Sequence, residues 1–107
     1  MNMTYLSTFV GMCCAWMAAT ALGADRTWDG GGSDANWKTP ANWDGDATYP
    51  SAGDALFFGG ASRLSNNNDL PAGTGFTGIG FNNGAGSFTL AGNAITLDGN
   101  ISNLSAN

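Results

Sequence analysis

The residues best suited to chemistry in this sequence are tryptophans and aspartates that recur together between positions 25 and 50. Trp28 and Trp43 each precede an Asp-Gly pair, and Trp37 lies between them. Exposed indole rings beside Asp and Asn side chains can stack on sugar rings and hydrogen-bond their hydroxyl groups. The same rings can instead fill the core of a small domain that has few large aliphatic residues. We expect the core or cap role and keep glycan contact as the competing hypothesis.

The aspartates suggest two further chemistries, both of which the sequence disfavours. Loop carboxylates can hold Ca²⁺, and Asp29 with Asp44 is the one sensible pair for glycoside hydrolysis. Asp-Gly sequences are also ordinary turn formers, and nothing in the sequence indicates a substrate cleft. We therefore predict no metal site, no cofactor and no catalytic residue. The loop aspartates considered for calcium are Asp29, Asp34, Asp44, Asp46 and Asp54.

The missing residue types exclude several classes of function. The chain has no histidine, and its two cysteines, Cys13 and Cys14, lie near the start. The common zinc ligands and the nucleophile–histidine pairs of hydrolases are therefore absent beyond that point. A net charge of −5 with only three basic residues disfavours binding to nucleic acid. We predict that the protein is not an enzyme and has no nucleic-acid partner.

Residues 1–24 have the pattern of a cleaved secretory signal peptide. They carry no charged side chain, and an apolar run is followed by small residues. Cleavage after Ala21, Gly23 or Ala24 fits this pattern, and we favour Gly23 or Ala24 because the polar chain begins there. An uncleaved membrane anchor is the alternative. The expected product is secreted or held at the cell surface, and its mature chain has no membrane span and no cysteine.

Beyond position 50, short apolar clusters alternate with turn residues. Alternation with a period of two predicts half-buried strands, and the Gly and Asn spacers between them predict turns. We therefore expect an all-β protein in which residues 25–50 form a Trp/Asp/Gly-rich capping segment that shields edge strands, and residues 51–107 form a truncated β-strand repeat region. The apolar clusters are at 55–58, 76–81, 88–90, 95–97 and 101–104.

Two ways of pairing these strands remain open. A tight turn at Gly92-Asn93 would place Phe88, Leu90, Ile95 and Leu97 on one face of an antiparallel hairpin. This pairing belongs to a small antiparallel β-sandwich or hairpin-rich domain. The alternative is a parallel solenoid, in which each strand stacks on the next coil.

The run of asparagines at residues 66–68, followed by Asp69, also allows two interpretations. Stacked asparagines can form a ladder in a solenoid, but a polar run of this kind is also typical of a surface loop. The loop is the expected structure.

The combined pattern resembles the start of large bacterial exported proteins that carry autotransporter-associated β-strand repeats. The residues that carry the resemblance are 27–31, 35–37, 41–44 and 50–59, and then 86–97 of the repeat region. The resemblance implies the start of a right-handed parallel β-helix that acts as an adhesin or surface scaffold, without catalytic residues.

Members of that family are long, so the resemblance implies that this chain is an N-terminal portion. Its implied partners are further β-repeats of a longer chain or surface glycans. The alternative function is a small secreted carbohydrate-binding module that uses Trp28, Trp37 and Trp43.

Overall fold

The structure, a computed structural model, describes residues 23–107. Within this range the chain forms eight short strands and one 3-10 helix, Pro40–Asn42, so the predicted all-β class is confirmed. Of the predicted signal peptide, residues 1–24, all but Gly23 and Ala24 lie outside the described residues. The strands are β1 Asp25–Trp28, β2 Ala55–Phe58, β3 Ser65–Asn68, β4 Thr74–Phe76, β5 Gly78–Phe81, β6 Thr89–Gly92, β7 Ile95–Leu97 and β8 Ile101–Asn103.

The eight strands form three small sheets in which every strand pair is parallel. One sheet has the order β1-β2-β5-β8, and the other two pair β3 with β6 and β4 with β7. Each of the four strands from β2 to β5 pairs with the strand that comes three places later in the chain. Leu56 is thus in register with Ile79, and Ile79 with Ile101. No helix in residues 23–107 is long and apolar enough to cross a bilayer.

Strand β2 illustrates how the sequence sets the orientation of its side chains. Leu56 and Phe58 are fully buried, whereas Ala55 and Phe57 are only half-buried. This is the alternation that a strand with one core face requires. Phe57 lies over Gly80 of the neighbouring strand, where a Cβ atom would come within 2.9 Å of the phenyl ring. The glycine therefore lets an aromatic side chain lie directly over the adjacent backbone.

The predicted hairpin at residues 88–97 does not form, so the antiparallel alternative is wrong. Strand β6 pairs with β3, and β7 pairs with β4, both in parallel. Gly92 has a φ of 100°, and the chain turns a corner there instead of reversing its direction. The Asn93 backbone amide donates to the Asn68 carbonyl at 2.8 Å, and its side-chain amide donates to the Leu70 carbonyl at 2.7 Å. These bonds tie the corner to the preceding turn of chain.

The asparagine run is a strand, which corrects the predicted loop. Within β3, Asn66 and Asn68 are buried while Ser65 and Asn67 are exposed. A run of identical residues has no hydrophobic alternation, so the pattern that identifies a strand is missing from the sequence. The inward asparagines are stabilised by hydrogen bonds: Asn66 accepts one from the Trp37 indole, and Asn68 donates one to the Asn93 carbonyl at 2.7 Å.

The core lies between the three sheets and beneath the capping segment. Half-buried apolar side chains near the last strands pack against it. The small sheets establish the all-β class, and a longer β-helix is a proposal that goes beyond them. The buried hydrophobic cluster contains Trp28, Trp37, Trp43, Leu56, Phe58, Leu70, Phe76 and Ile79.

Candidate functional site

The three tryptophans of the capping segment meet inside the fold. Trp28, Trp37 and Trp43 are only 1%, 2% and 0% exposed. Trp43 packs edge-to-face against both others, with ring centroids 5.2 Å from Trp28 and 6.1 Å from Trp37. Phe58 of β2 lies against all three rings. We call Trp28, Trp37 and Trp43 the tryptophan cluster.

Each indole N–H of the tryptophan cluster has an acceptor inside the protein. Trp28 donates to the Ser62 carbonyl at 3.2 Å, and Trp37 donates to Oδ1 of Asn66 at 2.8 Å. Trp43 donates to the Trp37 carbonyl at 2.8 Å. A buried indole needs such a partner, because an unpaired buried donor is costly. The indole N–H groups therefore already donate to acceptors within the protein.

This burial corrects the hypothesis that Trp28, Trp37 and Trp43 contact glycans. Stacking on a sugar requires an exposed ring face, and no ring of the cluster has one in this structure. The expected core or cap role describes all three residues. A carbohydrate-binding module built on these side chains is incompatible with the fold.

The capping segment also covers the outer edges of two strands. The Trp37 amide donates to the Asn67 carbonyl and the Asn67 amide donates to the Ala35 carbonyl, both at 2.9 Å, on the free side of β3. On the free side of β1, the Asp44 amide donates to the Thr27 carbonyl at 2.8 Å. Edge strands present unpaired backbone groups that invite association with other chains. The segment satisfies these groups at one end of the sheets.

Three aspartates of the capping segment accept backbone amides, two of them in local turns and one from β1. Asp29 accepts the Gly31 amide at 2.9 Å, Asp34 accepts the Asn36 amide at 3.1 Å, and Asp44 accepts the Thr27 amide at 3.3 Å. Hydrogen bonds from the Thr39 side chain and the Asn36 amide hold the pKa of Asp34 below its usual value. Within residues 23–107, no three potential metal-ligating His, Cys, Asp or Glu side chains cluster. The absence of a metal and of a cofactor remains a prediction.

Asn42 has a structural role that the sequence analysis did not predict. It is completely buried, and its side-chain oxygen accepts the Gly32 amide at 2.8 Å. Its side-chain nitrogen donates to the carbonyls of Asp34 and Asn36, both at 3.0 Å. The sequence feature that could have indicated this role is the repeated Ala-Asn-Trp triplet at 35–37 and 41–43. A polar residue that recurs beside a core tryptophan is a candidate for a buried hydrogen-bonding role.

Replacing Asn42 with alanine is expected to lower the free energy of unfolding by about 2–4 kcal/mol, since it leaves three partly buried backbone groups without partners. Urea unfolding monitored by tryptophan fluorescence measures the loss. Asn83→Ala, at an exposed position, is the matched control and should change stability by less than about 0.5 kcal/mol. Equal effects at both positions would contradict the role assigned to Asn42.

Asp54 is the other buried polar residue with an unexpected role. Its side chain is 4% exposed and forms an ion pair with Arg26, whose Nε lies 3.0 Å from Oδ2. The backbone amides of Ser51 and Ala24 also donate to the carboxylate, each at 2.9 Å. Burial alone would raise the pKa of Asp54, but these two amides and the Arg26 guanidinium outweigh it and lower the pKa.

This lowered pKa predicts a specific loss of stability in acid. A carboxylate whose pKa is lower when folded contributes stability above its unfolded pKa of about 3.9, and that contribution is lost as pH falls through the folded value. Unfolding free energies measured between pH 6 and pH 2 should therefore decline less steeply for Asp54→Asn than for the unmodified protein. The exposed control Asp98→Asn should follow the unmodified protein, and a parallel decline in all three would refute the prediction.

The end of the sheets formed by β6, β7 and β8 differs from the end that the capping segment covers. Among the described residues, no strand pairs with the outer edges of β6, β7 and β8. Ile101 and Leu104 are 62% and 70% exposed there. A cleft of about 270 Å³ beside β6 and β7 is lined in part by Ile79, Leu90 and Ile95. This end therefore leaves backbone hydrogen-bonding groups and apolar side chains uncovered.

Comparison with known proteins adds no assignment. No family model, curated protein or solved structure matches this chain.

The favoured signal-cleavage residues, Gly23 and Ala24, lie directly before β1. The Ala24 amide donates to Asp54 and its carbonyl accepts the Ala55 amide at 2.9 Å. Arg26, two residues further on, reaches the same carboxylate. The first residues after the favoured cleavage sites are therefore part of the fold.

Proposed function

We propose that the chain is the capped N-terminal portion of an exported, non-catalytic β-solenoid that acts as a surface scaffold or adhesin. The observation that carries this proposal is the pairing of β2, β3, β4 and β5 with the strands three places later, all in parallel. A chain that repeatedly returns to the same three sheets in the same direction is what solenoid winding requires.

Stacked side chains of like character support the proposal. Leu56, Ile79 and Ile101 occupy equivalent positions of β2, β5 and β8. The rings of Phe58 and Phe81 stack with centroids 5.7 Å apart. In a solenoid, equivalent inward positions of successive coils form such columns, and each coil buries the apolar face of its neighbour.

The difference between the two ends gives the proposed solenoid its direction. The capping segment closes the edges of β1 and β3, while no strand within residues 23–107 pairs with the outer edges of β6, β7 and β8. Ile101 lies in register above a buried Ile79 yet is itself 62% exposed. One further coil would bury it as β5 is buried. Further β-repeats of a longer chain are therefore the partner we propose for this end.

The remaining parts of the proposal come from the sequence. The apolar leader of residues 1–24 supports export to the cell surface or medium, and the acidic net charge disfavours a nucleic-acid partner. The use of Asp29, Asp34 and Asp44 as acceptors for backbone amides supports a structural, non-catalytic role. Surface glycans remain a proposed partner of the whole protein, with contacts outside the tryptophan cluster.

The intact mass of the product in the producing cells and their medium tests this function. We expect a surface-exposed or secreted product much heavier than residues 24–107, with strand-forming repeats after Asn107. A free product that ends at Asn107 would overturn the solenoid proposal, and glycan binding through residues outside the tryptophan cluster would become the hypothesis to test. A product retained inside the cell would overturn export.

A further inference from the structure

The residue just before β1 places its main-chain nitrogen against a buried carboxylate. The Ala24 nitrogen lies 2.9 Å from Oδ1 of Asp54, and the Arg26 Nε lies 3.0 Å from Oδ2. The Asp54 side chain is only 4% exposed. A buried carboxylate is costly unless charged or polar donors surround it, and bonds from charged donors are stronger than those from neutral amides.

We propose that the chain is cut between Gly23 and Ala24, and that the α-ammonium group released on Ala24 becomes the second cationic partner of Asp54. The inference rests on the proposed export of the protein. A membrane leader peptidase would catalyse hydrolysis of the Gly23–Ala24 bond. Water adds its oxygen to the Gly23 carbonyl carbon, the C–N bond breaks, and the Ala24 nitrogen leaves as an amine that is protonated at neutral pH.

The contacts of Ala24 distinguish this cleavage site from its neighbour downstream. Cleavage after Ala24 would remove both its bond to Asp54 and the bond from the Ala55 amide to its carbonyl. Cleavage after Gly23 keeps both contacts and converts a neutral donor into a charged one. Of the two favoured sites, only the cut after Gly23 therefore preserves the contacts that Ala24 makes just before β1.

Gly23 fits the position that immediately precedes a signal-peptide cut. A small residue is what the exit of a signal peptide requires, and Ala21 and Gly23 have the small-x-small spacing. Cleavage after Ala21 would leave Leu22 and Gly23 attached and keep Ala24 as a neutral amide donor.

The charged groups around the proposed ammonium allow its titration to be predicted. Asp54 stabilises the charged form, as does the neighbouring Asp25, whereas Arg26 shares the carboxylate and opposes it. Apart from Asp54, residues 51–54 carry no ionisable side chain. Because the buried Asp54 is in direct contact, we expect the ammonium to titrate above the usual range of about 7.7–8.0. Its stabilising effect is then complete below that range and is lost as pH rises through the folded value.

The first test is the N-terminal residue of the product recovered after expression of the full chain in a secreting bacterium. Ala24 is the expected first residue. An exported product that begins at Leu22 or Asp25 would overturn this inference and leave the proposed export intact. An uncleaved product retained in the cell would overturn both.

The second test follows the Ala24 methyl resonance of the recovered product by NMR as pH is raised. The folded product should show a midpoint at least about half a pH unit above that of the same product unfolded in urea. Asp54→Asn should remove this difference, whereas Asp98→Asn should retain it. Equal midpoints in the folded and unfolded product would overturn the ion pair, and this comparison needs no variant that folds poorly.

Discussion

Trp43→Ala is expected to destabilise the protein by about 3–5 kcal/mol, which is a large share of the stability of a small domain. The indole is fully buried and contacts Trp28, Trp37 and Phe58. Its loss leaves a cavity where the capping segment meets β2. It also removes the hydrogen bond to the Trp37 carbonyl. Urea unfolding followed by circular dichroism measures the change.

Tyr49→Ala is the control for Trp43→Ala, because Tyr49 belongs to the same segment but is 36% exposed. It should cost much less than the tryptophan substitution. A Trp43→Ala protein that keeps its thermal midpoint but loses binding to a glycan would contradict the core role. That result would restore the carbohydrate-binding hypothesis.

Phe58→Ala is expected to cost a similar amount, about 3–5 kcal/mol. Phe58 is fully buried and is the side chain on which the capping segment and the later strands converge. Its ring centroid lies within 6.2 Å of those of the tryptophan cluster, 5.7 Å from Phe81 and 5.5 Å from Phe88. Removing the ring therefore removes most aromatic contacts between the tryptophan cluster and the rest of the core, leaving that of Trp37 with Phe76.

Phe57→Ala is the matched control for Phe58→Ala. The two residues are adjacent in β2, so their side chains point to opposite faces, and Phe57 is only half-buried. Phe57→Ala should therefore cause a clearly smaller loss in the same urea experiment. A larger loss at Phe57 would mean that the core face of β2 has been assigned to the wrong set of residues, as a one-residue register shift would cause.

The sequence predicted which residues face inward more reliably than it predicted which strands pair. The alternation in residues 88–97 predicted that Leu90 and Ile95 lie on one face, and both pack against the core, because side-chain direction is a local property of a strand. The partner of β6 is not local. The pattern around Gly92-Asn93 suits both a hairpin and a corner, and bonds from Asn93 to Asn68 and Leu70, distant in sequence, stabilise the corner.

The polar residues of the candidate site were also hard to predict, because their partners are distant in sequence. Clustered tryptophans in a small chain are readily predicted to be core residues, because apolar area must be buried for the chain to fold. Asn42 and Asp54 look like ordinary turn residues in the sequence. Their burial depends on backbone donors and acceptors brought from distant positions, such as Gly32 for Asn42 and Ala24 for Asp54. No local pattern reveals those partners.

Disulfide trapping tests the central claim, parallel winding of the chain, most directly. Ser65 and Thr89 are exposed register partners in β3 and β6, and adjacent strands bring Cα atoms to a distance that a disulfide can span. Thr89 and Thr96 would instead be opposed in the hairpin, but here they lie in different sheets.

Each pair is replaced by cysteines and oxidised in the folded protein, and peptide mapping separates the new bonds from any at Cys13 or Cys14. We predict a bond in S65C/T89C and none in T89C/T96C, and the reverse result would contradict parallel winding.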